Sequence, residues 1–364
     1  MAKGKYLKRK KISVGKKIGR VVFAILLVVV LLLGAVFAFV WSKLSLLNFD
    51  HGSQGGYTEP SDAFVSTGPD LTEPEMTEPV ETIDMSGLSM EEAPSYSDGE
   101  LFKDDKVMNI LLVGTDEFTE GFVNSSRGDV NILVSINKAE KTVKLVSFSR
   151  GIALPMLDGP YKGKYEWLTN CHRWAGTEAV LQAMEDSFKI ELDRYVRVNF
   201  NSVIRIVDII GGVEINLTAQ EARFMNETLY RTDLVEGVNH LDGRAACYYA
   251  RLRGVDDDWY RIQRQRTAIL AVVEKLKGSS FATLNNLCDQ VMPMIMTNLT
   301  MKEIGELIMY SPTFLKSEFG QMTIPIENSY GGMTVVSGAG GWALNYEKNN
   351  AALHEFLFGK DNVG

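Results

Sequence analysis

Cysteine and histidine are scarce in this chain of 364 residues: Cys171, Cys247 and Cys288 are the only thiols, and His51, His172, His240 and His354 the only imidazoles. No two cysteines form a CxxC pair and no histidines show HExxH or HxH spacing. A disulfide framework is therefore excluded, at most one bridge can form, and a zinc site has little support. Charge of one sign is also missing from whole stretches. Residues 1–43 hold ten Lys/Arg and no Asp/Glu, residues 44–102 hold thirteen Asp/Glu and no Lys/Arg, and the remainder holds 28 basic against 33 acidic residues. A net charge of −8 excludes a nucleic-acid binder that works by overall basicity, since the large C-terminal part would repel phosphate backbones. A hydrophobic fraction of 45% equally excludes a wholly disordered chain.

One long apolar run is present. From Val21 to Trp41 there are 21 residues without a charge; as a helix at about 1.5 Å per residue they span about 30 Å, the thickness of a bilayer core. Lys3, Lys5, Lys8, Arg9, Lys10, Lys11, Lys16, Lys17 and Arg20 precede it. The positive-inside rule keeps such a segment in the cytoplasm and sends the rest of the chain outside. A cleaved signal peptide fits less well, because its apolar region is about 7–15 residues and ends at small residues, not at Phe39-Val40-Trp41. The expected organisation is a basic cytoplasmic tail (1–20), a transmembrane helix (21–41), a linker (42–104), a catalytic or binding domain (105–278) and a C-terminal extension (279–364) packed on it. The linker carries half of the ten prolines and three copies of Thr-Glu-Pro, at Thr58, Thr72 and Thr77. Proline, acidic repulsion and sparse apolar residues predict a disordered tether.

Folded character begins near Val107. Val107–Val113, Asp129–Ile136 and Thr142–Phe148 read as strands, the last two joined by a turn at Asn137–Glu140. Gly176–Lys189 has helical spacing, Tyr195–Phe200 returns to strand, and Val203–Ile210 reads as a helix stopped by Gly211-Gly212. Asp242–Arg253 and Arg261–Lys277 read as helices flanking the polar loop Gly254–Asp258. The alternation predicts an α/β layered domain, a central mixed β-sheet flanked by helices. Beyond Gly278, helical stretches at Phe281–Val291, Met301–Leu315 and Leu344–Phe358 are separated by Met322–Pro325 and the glycine-rich Gly331–Gly341, and predict an appendage to the core.

Two carboxylates stand at strand edges, Asp116 after the first strand and Asp129 at the start of the second. Neighbouring strands would bring both to one end of the sheet, where carboxylates, water and phosphate oxygens hold Mg²⁺; Asp and Gly are also ordinary turn residues. Arg127 adjoins Asp129, Arg150 ends the third strand, and Arg251, Arg253, Arg261 and Arg264 surround Asp256–Asp258, Arg261 and Arg264 one helical turn apart with Gln265 on the same face. Guanidinium forks suit phosphate oxygens, so the set points to a pyrophosphate site. A salt-bridge network with the nearby aspartates is the competing reading.

Taken in order, these segments resemble the LytR-CpsA-Psr family of bacterial cell-wall enzymes. The resemblance rests on the tail, membrane helix and linker, on Asn109–Asp116, Arg127-Gly128-Asp129, Leu133–Asn137, Val146–Arg150, Asn170, Ile209–Val213 and Gly237–Gly243. Its most specific part is Tyr249-Ala250-Arg251-Leu252-Arg253 followed by Arg261-Ile262-Gln263-Arg264-Gln265. It implies a Mg²⁺-dependent phosphotransferase, with pyrophosphatase side activity, that moves a glycopolymer from a polyprenyl-pyrophosphate carrier to peptidoglycan through a phosphodiester link. It further implies an apolar tunnel for the lipid tail. Asp116, Asp129, Arg127, Arg251 and Arg253 would then be catalytic, with Asp116 and Asp129 holding the metal. Arg127, Arg150, Arg251, Arg253, Arg261, Arg264 and Gln265 would grip the pyrophosphate. The family's usual Arg-Ser-Asp-Thr reads Arg127-Gly128-Asp129-Val130 here, the usual Asp after the third-strand arginine is Gly151, the usual Gly before the helix arginine is Tyr260, and Leu168 replaces a basic residue. A non-catalytic lipid-carrier or wall-polymer binding protein on the same fold is the alternative. A transcription regulator ranks last, because about twenty cytoplasmic residues are too few for a folded DNA-binding module.

Overall fold

The computed structural model describes residues 101–359 except 118–121, 123, 124, 193, 254, 256, 257, 315, 316 and 318, together with 42, 43, 45–49 and 82–84. The chain divides into two units, Met1–Leu46 and Leu47–Gly364. In the first, the described residues form a turn closed by the Leu46 amide on the Lys43 carbonyl. The expected cytoplasmic tail and the Val21–Trp41 span lie outside the described residues. Among the described residues, no helix is long and apolar enough to cross a membrane.

The second unit is built on a seven-stranded mixed sheet. Val107–Thr115 (β3), Gly128–Asn137 (β4) and Thr142–Phe148 (β5) form an antiparallel meander, as their alternation predicts. Arg194–Asn199 (β8) joins β3 in parallel, and Met296–Thr297 (β11) and Asn48–Phe49 (β1) extend that edge. The other edge is Phe319–Ile324 (β12), parallel to β5. The C-terminal extension is therefore no outer appendage, since it supplies a strand on each side of the sheet. Glycine and glutamine in Phe319-Gly320-Gln321 hide β12 from a propensity reading.

The linker also departs from expectation. Asn48–Phe49 pairs with β11, and Thr82–Asp84 (β2) pairs in parallel with Tyr330–Thr334 (β13). The β-branched pair Thr82-Ile83 within acidic, proline-rich sequence is enough to add a strand where an open sheet edge offers unpaired main-chain groups.

Strand alternation gives the sheet two faces. On one, Leu111, Val113, Leu133, Val146 and Tyr195 pack with Leu168–Phe188 (α1) and Tyr346–Phe358 (α8) into the main core. Helix α1 begins eight residues before the expected Gly176, where φ of +81° turns a corner inside it; the first segment lacks apolar periodicity and so was not legible as helix. Phe200–Ile209 (α2), Ala219–Leu229 (α3), Gly243–Arg251 (α4) and Asp258–Lys277 (α5) form a second cluster with the antiparallel pair Val213–Leu217 (β9) and Gly237–Leu241 (β10). Their starts are fixed by side chains: Asn199 and Thr218 form capping boxes with Ser202 and Glu221, and Asp242 accepts from the Ala245 amide. At the start of α4 a Cβ on Gly243 would lie 2.2 Å from the Ile204 carbonyl oxygen, so glycine permits the close crossing of α2 and α4.

Helix α5 meets the other sheet face at its β12 edge, where Arg266 donates to Gln321 Oε1, the Met322 carbonyl and Thr323 Oγ1. That face is unevenly filled. Ile110, Ile132 and Leu145 are buried, but Met108, Leu112, Val134, Val196 and Val198 are only half-buried, although they stand on central strands. Ile269, Leu270 and Val273 of α5, which lie outside the helical cluster, are likewise half-buried.

Candidate active site

The site forms where β3 ends, β4 begins, β5 ends and α5 starts. A register shift at Gly114/Thr115 ends the β3–β4 ladder, and Gly114 is needed there because a Cβ would lie 2.8 Å from Val130 Cβ. Beyond the shift Asp116 and Arg127 lock reciprocally: the Arg127 amide donates to Asp116 Oδ1 (2.8 Å) and the Asp116 amide to the Arg127 carbonyl (3.2 Å). Asp129 follows on β4 and accepts from Thr169 Oγ1 (3.0 Å), with Arg150 Nη1 at 3.7 Å.

The two carboxylates are driven in opposite directions. Burial raises Asp129, but the cations of Arg150, Arg261 and Arg253 and the Thr169 hydroxyl outweigh it, so its pKa is lowered and the group stays ionised. Asp116 is raised, first by burial and then by the Asp129 charge, against the hydrogen bond and charge of Arg127. The expectation that Asp116 and Asp129 meet at one sheet end is therefore met.

Arg150, Arg253 and Arg261 converge on Asp129, and Asp258 at the head of α5 binds two of them, Arg150 Nε at 3.6 Å and Arg261 Nη2 at 2.5 Å. The Arg261 guanidinium is buried, which together with the neighbouring Arg150 charge pushes it down to about 10. Its Nε has no hydrogen-bond partner among the described residues. A buried donor without an acceptor, among cations that exceed the local carboxylates, suits an oxyanion.

The remaining expected residues are placed differently. Arg127 is exposed beside Asp116. Arg251, in the last turn of α4, lies with its guanidinium 3.9 Å from the Phe200 ring centroid. The Phe200 amide donates to the Glu117 carbonyl, so Arg251 borders the Asp116 end of the site. Arg264 was expected to grip the pyrophosphate; instead it is buried against Glu221 (3.2 Å) and donates to the Leu252 carbonyl (3.1 Å), on the side of α5 that packs on α3 and α4. The i, i+3 spacing that suggested a shared face with Arg261 is overridden by the capping glutamate of α3. Gln265 is buried in the same turn. The competing salt-bridge reading holds in part, since Asp258 is a real partner of the arginines. The sequence reading missed Thr169, whose only signal is that it adjoins Asn170.

Three residues explain how the motif departures fit. A Cβ on Gly128 would lie 3.2 Å from His172 Cβ; that histidine bonds the Ser126 carbonyl through Nδ1 (3.1 Å) and Thr177 Oγ1 through Nε2 (2.7 Å). A Cβ on Gly151 would lie 3.2 Å from Trp342, and Leu168 is fully buried in the core. All three cysteines are free thiols, and burial pushes Cys247 up to about 11.

As for a metal, no group of three or more His, Cys, Asp or Glu residues is arranged to hold one among the described residues. Asp116 and Asp129 offer two adjacent carboxylates whose mutual repulsion a cation would relieve. Mg²⁺ commonly takes one or two carboxylates and completes its shell with water and substrate phosphate, so this pair fits it.

The family profile LytR_cpsA_psr matches residues 71–352. The polyisoprenyl-teichoic acid–peptidoglycan teichoic acid transferase TagT of Bacillus subtilis strain 168 is 28% identical over 220 residues, 59% of this chain and 67% of that protein. A Streptococcus agalactiae protein of solved structure superposes with TM-score 0.59 at 23% identity, over 70% of this chain and 89% of that one. The LytR-CPS2A-psr family protein YwtF (TagT), solved with bound octaprenyl pyrophosphate lipid, superposes with TM-score 0.51 at 21% identity, over 73% and 99%. These superpositions establish the α/β fold, and the profile spans both carboxylates, every arginine of the site and the C-terminal strands. This chain belongs to the LytR_cpsA_psr family.

Proposed function

We propose that the chain is a phosphotransferase that moves a glycopolymer from a polyprenyl-pyrophosphate carrier onto a peptidoglycan hydroxyl. The observation that carries this reading is the convergence of Arg150, Arg253 and Arg261 on the ionised Asp129, at the end of a sheet whose second face is incompletely filled. Family membership and the transferase name of the Bacillus subtilis relative support it. The half-buried aliphatics of β3, β4, β8 and α5 support an apolar slot for the lipid tail, since a packed core would bury them fully.

In the reaction the acceptor oxygen bonds the phosphorus that carries the sugar, the bridging P–O bond breaks, and polyprenyl phosphate leaves. Such a step depends on positioning and on neutralising spread charge. The arginines bind the pyrophosphate oxygens, the buried Arg261 doing so away from water, where its charge counts for more. Asp258 holds Arg150 and Arg261 at fixed separation, and Thr169 orients Asp129. Asp116, beside Asp129 at this end of the sheet, takes the proton of the acceptor hydroxyl. Asp116 and Asp129 would hold Mg²⁺, which supplies further charge neutralisation at the phosphate oxygens. The apolar segment 21–41 with its basic flank supports a membrane anchor that leaves this domain outside the cell.

The test is transfer by the full chain in detergent, with Mg²⁺, a polyprenyl-pyrophosphate-linked saccharide and peptidoglycan fragments, read as carrier release and product mass. Metal-dependent transfer lost by at least about a hundredfold in Asp129→Ala and Arg251→Ala is the expected result. Tight carrier binding without turnover, unchanged by Asp129→Ala, would establish a binding protein instead.

A further inference from the structure

Beside the arginine cluster stands a group of aromatic rings from four separate parts of the chain. Gly340–Leu344 (β14) pairs antiparallel with β13, and the hairpin has two distinct faces. Met333 and Ala343 point to one, where Met333 packs with Ala153, Tyr165 and Val335 in a small buried core. The other face carries Tyr330 and Trp342, ring centroids 5.0 Å apart and nearly perpendicular. Trp259 of α5 continues the group, 5.9 Å from Tyr330.

Both ends of this group are tied to the pyrophosphate-binding residues. At one end Trp259 directly follows Asp258, which pairs with Arg150 and Arg261. At the other, the Trp342 amide donates to the Gly151 carbonyl (2.8 Å), next to Arg150. Trp167, from the short strand Tyr165–Trp167 (β7), links the two parts. Its indole N–H donates to the Gly340 carbonyl (2.8 Å), and its ring centroid lies 5.9 Å from the Arg150 guanidinium carbon. Gly151 leaves room for the Trp342 indole, since a Cβ there would lie 3.2 Å from its ring.

All four rings are half-buried, not buried. The hairpin buries its Met333 face, and on the other face Leu344 packs against the main core, whereas Tyr330, Trp342 and Trp259 belong to neither cluster. Rigid rings held partly in solvent beside a charged group match the way proteins bind sugars, whose C–H faces stack on aromatic rings while their hydroxyls stay wet. A sugar esterified to the pyrophosphate is one phosphoester link from the arginines, and so falls at this distance.

We propose that Tyr330, Trp342 and Trp259 form a stacking subsite for the first sugar ring of the pyrophosphate-linked donor. The proposal rests on the phosphotransferase reading, and it makes Gly151 a residue that opens donor space in place of an acidic side chain. The rings also explain why the C-terminal extension is built into the domain: it brings the carbohydrate surface to the phosphate site.

The test is calorimetric titration of the full chain in detergent with farnesyl pyrophosphate and with farnesyl-pyrophosphoryl-N-acetylglucosamine. Wild type is expected to bind the sugar-bearing probe about tenfold more tightly. Tyr330→Ala and Trp259→Ala should bring that ratio near one while leaving farnesyl pyrophosphate affinity within about twofold, which also reports that each variant is folded. Tyr330→Phe should retain the preference. An undiminished preference in both alanine variants would overturn the subsite and leave the rings as braces for the hairpin. No preference in wild type would overturn it while sparing the pyrophosphate reading. Failure of wild type to bind either probe would overturn both. A raised acceptor KM in the transfer assay with unaltered donor affinity would move the rings to the acceptor, against the proposal.

Discussion

Single residues in this site do two jobs, and His172 shows how the motif departures are absorbed. It is buried, and burial together with the nearby Arg197 charge pushes its pKa down to about 3. With Gly128 leaving room beside it, it fastens the Ser126 carbonyl and so the start of β4, where Asp129 stands. Unfolded, His172 takes up a proton near its ordinary 6.5; folded, it stays neutral until about pH 3. The unfolded chain therefore binds more protons in this window. The stability the neutral ring contributes is whole above about pH 6.5 and is lost as pH falls toward 3, with a slope of at most about 1.4 kcal/mol per pH unit. His172→Asn keeps a donor for Ser126 without titrating. Urea unfolding at pH 7 and pH 5 should show a smaller drop in the variant than in wild type; equal drops would assign the acid sensitivity to carboxylates.

At the scale of elements, α4 carries Arg251 and α5 carries Arg261, and an ion pair ties α5 to α3. Glu221 caps α3 through Oε2 on the Thr218 amide and meets Arg264 through Oε1, both side chains being almost completely buried. Glu221→Gln preserves the cap but leaves a buried guanidinium without its carboxylate, and should cost about 3 kcal/mol in urea unfolding. A change below about 0.5 kcal/mol would mean that the Leu252 carbonyl alone suffices. Elements also mark what sequence could reveal. β3, β4 and β5 were legible because β-branched residues alternate in them, and α5 because its apolar stripe repeats. Asp116 and Asp129 were legible because each sits at an end of a readable strand. Thr169 and the first half of α1 were not, since Leu168–Ala175 has no periodic stripe. The aromatic group was hidden for another reason: residues 167, 259, 330 and 342 become neighbours only through the hairpin, whose glycines read as a separator. Arg264 was misplaced because helical spacing gives the face a residue occupies but not which neighbour claims it.

At the scale of the whole molecule, the sheet takes its strands from far apart in the chain. Val143 pairs with Phe319, and Asn48 with Met296. A chain truncated after residue 318 would lack β12, leaving β5 as an open edge and Arg266 without Gln321 and Thr323. Such a chain should lose cooperative unfolding and be cut rapidly by protease, as judged by a urea titration and a proteolysis time course. A sharp transition near that of the full chain would show that the meander folds alone. The same connectivity bears on biosynthesis. On the topology proposed above, the domain crosses the membrane before its sheet is assembled. A sheet that cannot close until its last edge strand has been made keeps the nascent chain slack during that passage, so the order of strands acts as a timer that postpones folding until the far side of the membrane is reached.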